Sequence, residues 1–274
     1  MTPCRWLVLL ALIAALPARA QVVLTRSEQV LVNFGFATQL GSGVYTVSGR
    51  TLQIYRLPFA YALEAAQESG IGVKLTLPVT LGFYDFKLRD VADTGLPRHV
   101  DALSFVPGVT FSIPVRPGWR LEPFVEAGIS KAGDAQADAY VYAGGLRSLY
   151  SFDAHGSAWL FYDNMTYAGL DYRASAYTDH FTRLQTALTA RRPFTRGSNG
   201  DYLIYVLHEY YIDQPTGAVA GPEPRGSSVQ YEFGITFGTT TTRRLWRIPV
   251  PRVGIGYRFG SQLQVYRLVF GAPF

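Results

Sequence analysis

The chain has 274 residues, a single cysteine and a formal charge of +5. So small a charge, with no basic cluster interleaved with aromatics, argues against a nucleic-acid partner, and one cysteine excludes a disulfide framework or a thiolate metal centre. With 18 Tyr, 17 Phe, 27 Gly and only 16% charged residues, against about 25% in typical soluble chains, the composition is aromatic, glycine-rich and poor in charge.

The first predicted element is a leader. "MTPCRWLVLLALIAALPARAQ" places Arg5 before an apolar run from Trp6 to Leu16, with the small residues of Ala18-Arg19-Ala20 behind it. That is the pattern of a secretory signal peptide, and its core is too short to span a bilayer. Cleavage is expected after Ala20, giving a leader over 1–20 and one domain over 21–274. Cys4 lies before the apolar run, whereas a lipoprotein needs its cysteine directly after, so the mature chain is expected to be free of cysteine.

Beyond the leader, apolar residues recur at every second position, the period of a β-strand. Weak alternation begins near 29–38 and 52–64. Ile71, Val73, Leu75, Leu77, Val79, Leu81 and Phe83 then form an unbroken series, opposed by Gly72, Lys74, Thr76, Pro78, Thr80, Gly82 and Tyr84. Leu103 to Val115 and Trp119 to Ile129 repeat the pattern, and weaker segments follow near 139–150, 157–171, 179–190 and 201–212. Val229, Tyr231, Phe233, Ile235 and Phe237 form another clear series, and segments near 246–259 and 262–274 complete the chain. The clear segments run about 11–13 residues, against roughly 5–6 for soluble strands, and match a tilted strand crossing a bilayer.

The connections alternate in length. "RPG" at 116–118 is a tight turn, while "LRDVADTGLPRHV" (88–100) and "DQPTGAVAGPEPRGS" (213–227) are long. Short turns on one side and long loops on the other mark an outer-membrane barrel, with the turns in the periplasm. Loops 88–100 and 213–227 are then external and both termini periplasmic. "RRPFTRGSNG" (191–200) is long for a turn and "FGSQ" (259–262) short for a loop. The segment near 246–259 changes parity at Pro249 and Pro251, which predicts a bulge or a strand start there.

A soluble sheet that buries one face against a second layer alternates in the same way. The leader, the strand length, the aromatics and the terminal Phe274 favour the other reading: all-β, a transmembrane antiparallel β-barrel of about twelve strands, with 10–14 compatible with the weaker segments. A sheet in lipid must close so that every backbone polar group is paired. The outer membrane, with its lipid and lipopolysaccharide, is the expected surroundings.

The end of the chain carries a resemblance. "RVGIGYRFGSQLQVYRLVFGAPF" (252–274), with its "GYRFG" strand end and "RLVFGAPF" terminus, resembles the closing hairpin of the solitary outer-membrane autotransporter-like β-barrel family. The resemblance implies a twelve-stranded translocator-type barrel in a Gram-negative outer membrane. It also implies that Tyr266, Leu268, Phe270 and Phe274 form a signal read by the barrel-assembly machinery. About eight residues separate Gln21 from a first strand beginning near 29, where the alternation starts. That leaves no room for a passenger or a pore-threading helix, and self-secretion is not expected.

If the apolar parity faces lipid, Lys74, Arg120, Glu122, Glu126, Glu232, Arg252, Arg258 and Arg267 face the lumen. They either pair into a network that fills a narrow interior or line a polar pore; Glu122 and Glu126 suit both. "AHGSAW" sets His155 near Ser157, but at a periplasmic turn. "YTDHF" sets Asp179 beside His180 near the outer rim, yet adjacent strand residues point to opposite faces. "SNG" at 198–200 is a turn signal. No metal-ligand spacing, phosphate loop or nucleophile elbow appears, so no catalytic residue, metal or cofactor is expected. The role expected is structural or that of a narrow pore. A surface-binding module acting through loops 88–100 and 213–227, whose ligand is unknown, and a rim hydrolase are the other readings.

Overall fold

The computed structural model describes residues 41–47, 50–64, 70–84, 102–132, 138–173, 178–195, 197–213, 228–239, 244–245, 248–249, 252–260, 263–271 and 273. The described residues form β1 (Gly43–Val47), β2 (Arg50–Glu64), β3 (Gly72–Tyr84), β4 (Ala102–Phe105), β5 (Gly108–Arg116), β6 (Trp119–Ala132), β7 (Asp138–Ala154) and β8 (Ser157–Tyr172). There follow β9 (Thr178–Pro193), β10 (Gly200–Asp213), β11 (Val229–Thr239), β12 (Arg244–Leu245), β13 (Ile248–Pro249), β14 (Val253–Gly260) and β15 (Leu263–Phe270).

All but β12 and β13 belong to one 13-stranded sheet, and its pairings return to their origin. Every pairing in the sheet is antiparallel. β11 pairs with β14, β14 with β15, and β15 with β1, where Val44 stands opposite Tyr266 and Val47 opposite Leu263. β4 and β5 lie end to end between β3 and β6, both pairing with each. They are one strand interrupted at Val106-Pro107, because proline has no N–H for the ladder. The gap is bridged by Val106 N–H donating to Pro78 O at 3.5 Å and Ala127 N–H donating to Pro107 O at 3.0 Å. The sheet is a closed barrel with no free edge among the described strands, not one layer of a sandwich.

Alternation decides which face is which. Outward positions are apolar and uncovered: Val125 and Ile255 are each 62% exposed and Tyr266 70%. Inward positions are covered whatever their chemistry, as the pattern of buried and open residues along β9 and β10 shows. Among the described residues, two apolar clusters occupy the interior. Val141, Ala168, Leu170, Phe181 and Tyr211 belong to one, toward the end of the 133–137 connection. Leu149, Tyr162, Ala187 and Leu207 form the other, nearer the turn at 155–156. That turn has positive φ at both His155 (53°) and Gly156 (73°), the mirror-image geometry that matches strand twist.

On β7 and β8 the outward side chains are also sorted along the strand. On β7, Tyr140 and Tyr142 stand near one end and Tyr150 and Phe152 near the other, with Leu146 between. β8 repeats this with Tyr167 at one end, Trp159 and Phe161 at the other, and Met165 between. Near the turn end, Phe152 stacks on Trp159 at 6.2 Å and Phe194 on Phe237 at 6.2 Å. Arg116 sits 5.1 Å from the centre of the Trp119 ring. Aromatic bands bracketing an aliphatic middle are the signature of a wall between two interfaces.

Three expectations need correction or relocation. The strand sought at 29–38 lies outside the described residues, and the strand that pairs with β15 is Gly43–Val47, too short and too mixed in parity to announce itself. The premise that about eight residues precede the first strand likewise rests on residues outside the described ones. The segment at 246–259 is not one strand: β12 and β13 form a separate two-stranded ladder, and β14 starts at Val253 just past the two prolines. The last strand ends at Phe270 rather than running to 274. Gly271 has a φ of 84°, a left-handed turn open to glycine, and Pro273 beyond it is buried. Phe274, like the long connections 88–100 and 214–227, lies outside the described residues.

The β1–β15 seam is directly testable. In a Cys4→Ser background, Val44→Cys with Tyr266→Cys puts two thiols on Cα-paired positions of neighbouring strands, within disulfide range. Oxidation should yield an intramolecular cross-link in folded protein, read as faster gel migration after boiling without reductant. Pairing Val44→Cys with Ile255→Cys on the next strand should not.

Candidate functional site

The chemistry-bearing residues meet on the inner wall from β8 to β15. Register places Glu209 of β10 beside Gln185 of β9, which is itself beside Asn164 of β8. It likewise places Glu232 of β11 beside Arg258 of β14. Side chains on these positions share a face and can reach one another across the ladder.

Two carboxylates organise the group. Glu209 receives Arg183 Nη1 at 2.7 Å, Arg258 Nη1 at 2.5 Å and Gln185 Nε2 at 2.9 Å. Glu232 receives Arg258 Nε at 2.7 Å, Arg267 Nη1 at 2.7 Å and the Tyr205 hydroxyl at 2.7 Å. Arg258 bridges the two acids. From Gln185 the chain of bonds continues outward along the wall. Asn164 Nδ2 donates to Gln185 Oε1 at 2.9 Å, and Thr166 Oγ1 donates to Asn164 Oδ1 at 3.2 Å. Glu209 is 1% exposed, and Glu232 and Arg258 2% each. At such burial a lone charge is costly, and here each is met by an opposite charge or a donor.

Glycine makes room for this packing. A Cβ at Gly256 would collide with the Tyr205 hydroxyl, and one at Gly234 would lie 2.5 Å from it. The Tyr205 ring therefore lies flat across two side-chain-free positions on β11 and β14 and reaches Glu232.

The other sequence-derived residues fall elsewhere on the inner face. Arg120 and Glu122 pair with each other at 2.9 Å near the turn at 117–118. Glu126 is buried and lies 3.9 Å from Arg56 of β2. Lys74 is half-buried on β3. Arg252 precedes β14, contacts Asp201, and donates from Nε to Thr236 Oγ1 at 3.2 Å. Arg267 closes the set: besides Glu232 it reaches the Pro273 carbonyl, Nη2 donating at 3.4 Å. Tyr266 and Leu268 face outward on β15; the Phe270 side chain lies outside the described residues.

Sequence reasoning passed over Arg183, Glu209, Asp201, Tyr205, Arg56 and Arg147. All six stand on segments where alternation is weak, so parity alone does not mark them as inward. A usable signal was present: Arg183, Gln185 and Ala187 alternate with Leu184, Thr186 and Leu188. Arg147 lies 3.8 Å from the centre of the Phe124 ring, a cation–π contact on the inner face.

The histidine pairs do not assemble a site. Asp179 is buried on the inner face while His180 points outward, with Nε2 2.9 Å from Asp213 Oδ2. His155 is exposed at its turn, and no hydrogen bond joins it to Ser157. A cavity of about 300 Å³ at that end is lined by Asp153, Ser157, Arg191 and Asp201 among others.

No family model matches the chain, and no curated protein matches it. Among solved structures, the chain is similar to the β domain of the Bordetella autotransporter BrkA, at 12% identity and a TM-score of 0.49, over 85% of this chain and 96% of that one.

The network predicts a graded response. Glu209→Ala leaves Arg183 and Arg258 facing each other without their shared carboxylate and should cost about 3–5 kcal/mol. Gly256→Val, which displaces Tyr205, should cost about 1–3 kcal/mol. Both are read as a lowered temperature at which folded protein in detergent converts to the slow-migrating gel form. Lys74→Ala, outside the network, should leave that temperature nearly unchanged.

Proposed function

We propose that this chain is an outer-membrane β-barrel of autotransporter-translocator type, structural in role, with its interior braced by buried ion pairs instead of opened as a channel. The observation that carries this is the inversion of the two faces. The carboxylates of Glu209 and Glu232 and the guanidinium groups of Arg183 and Arg258 on the inner wall are almost wholly covered, while large apolar side chains on the outer wall stand open on strand after strand. A soluble barrel reverses that order, because uncovered apolar surface costs about 25 cal/mol per Å² in water. In hydrocarbon the same surface costs nothing, and the aromatic bands lie where a bilayer has its two interfaces.

The likeness of residues 252–274 to the solitary autotransporter-like closing hairpin supports the type. The leader pattern at 1–20 supports export, and the outward Tyr266 and Leu268 support recognition of the last strand by an assembly machinery. Water-filled pores line themselves with accessible charge. Here Glu209, Glu232 and Arg258 are inaccessible and bound to one another, so passive structure is favoured over conduction.

Outer-membrane fractionation and a boiling-dependent gel shift test the placement. Purified protein in planar bilayers should give no sustained conductance; a steady ohmic channel would overturn the braced interior while leaving the barrel intact. Ile255→Arg, on the outer wall, should destabilise the membrane-inserted form by about 2–4 kcal/mol near the midplane, whereas in a soluble protein that exposed substitution would be close to neutral.

A further inference from the structure

One row of the outer wall departs from the rest. Register sets Ser148, Asp163, Thr186 and His208 side by side on β7, β8, β9 and β10. Each lies near the middle of its strand. Each shares the parity of open apolar neighbours: Leu146 and Tyr150, Phe161 and Met165, Leu184, Val206 and Tyr210. All four therefore face away from the barrel. Thr186 Oγ1 donates to Asp163 Oδ1 at 2.7 Å, Trp119 Nε1 donates to Ser148 Oγ at 3.0 Å, and the His208 and Tyr231 rings lie 5.2 Å apart.

A carboxylate accepts about four hydrogen bonds, and among the described residues Asp163 receives only that of Thr186. In lipid such a group is expensive, and ionisable side chains on a membrane-facing wall ordinarily find a protein partner. This row carries the complement of its own need. Thr186 stands between the acceptor Asp163 on one side and the donor His208 on the other. A twofold axis along the membrane normal at Thr186 turns Asp163 of each copy toward the partner's His208.

We propose that this row is the contact surface of a homodimer within the membrane. The proposal rests on the membrane placement argued above. It assigns the polar row to the protein–protein contact and leaves the remaining outer wall to lipid.

Single thiols test it in the full-length chain with Cys4→Ser. Thr186→Cys, oxidised with copper–phenanthroline in isolated native membranes, should give a thiol-reversible product of twice the monomer mass. Leu57→Cys on the far wall should remain monomeric. Adding Asp163→Leu, which suits lipid and should still fold, should lower the Thr186→Cys product several-fold. Cross-linking at Thr186→Cys no faster than at Leu57→Cys, or a product of any other mass, would overturn the homodimer. Every sample is fractionated and checked for the boiling-dependent shift. Absence from the outer membrane overturns both proposals, whereas a correctly inserted barrel without the product overturns the dimer alone.

Discussion

The pairing of β1 with β15 is the contact on which the rest depends. A sheet with two free edges exposes a row of unpaired N–H and C=O groups along each. Closing the ladder removes both rows at once and leaves only the strand ends to be satisfied. Closure also creates an inside with a fixed perimeter, and this is what brings distant parts of the chain together. Glu209 and Arg258 are 49 residues apart in sequence, and the ladder makes them neighbours through one intervening strand.

A fixed perimeter imposes a packing problem. Inward side chains must fill the space without clashing and without stranding a charge. Two apolar clusters take the volume at different heights, and the ion-pair network lies along the wall with them. Tyr205 spans glycines on two strands, so a large ring and a hydroxyl fit where two ordinary side chains would not. The polar groups also bring direction. An apolar interior tolerates rotation of one side chain past another, but Arg258 satisfies two carboxylates only in one register of β11 against β14. Removing a buried pair wholesale is often tolerated, whereas breaking it is not, so the network specifies the register more than it adds net stability.

Much of this architecture is legible in the sequence, and the reason is geometric. An outer wall in contact with a uniform solvent needs only apolar side chains at every second position, and Ile71 to Phe83 or Val229 to Phe237 meet that need without exception. The same rule places Glu232, Arg258 and Arg267 inside. It fails where alternation is not what shapes the chain. β1 is held by its two neighbours rather than by a pattern of its own. The break at Val106-Pro107 follows from a missing N–H, and the parity slip at Pro249 and Pro251 marks the boundary of β14. Gly271 ends β15 by its φ, a backbone property that period-two counting carries straight through. Partnerships among inward residues are less legible still: which acid meets which base depends on register, and register follows from closure rather than from any single segment.

The order of the chain adds a further consequence. Both organising acids, Glu209 and Glu232, come from β10 and β11, whereas two of the cations that answer them, Arg258 and Arg267, come from the last two strands. Among the described residues, until β14 and β15 dock, Glu232 has no guanidinium on the inner wall, and Glu209 has only Arg183. Docking β15 completes the ladder to β1, supplies Arg267 to Glu232, and places the Pro273 carbonyl where Arg267 also reaches it. Closing the sheet and neutralising its interior are therefore the same event. A barrel lacking its final hairpin would carry both an open edge and a buried Glu232 without its cations, each unfavourable in lipid. Coupling the two makes the partly closed state sparsely populated, and it gives the last strand a role in the interior that its outward apolar face does not reveal.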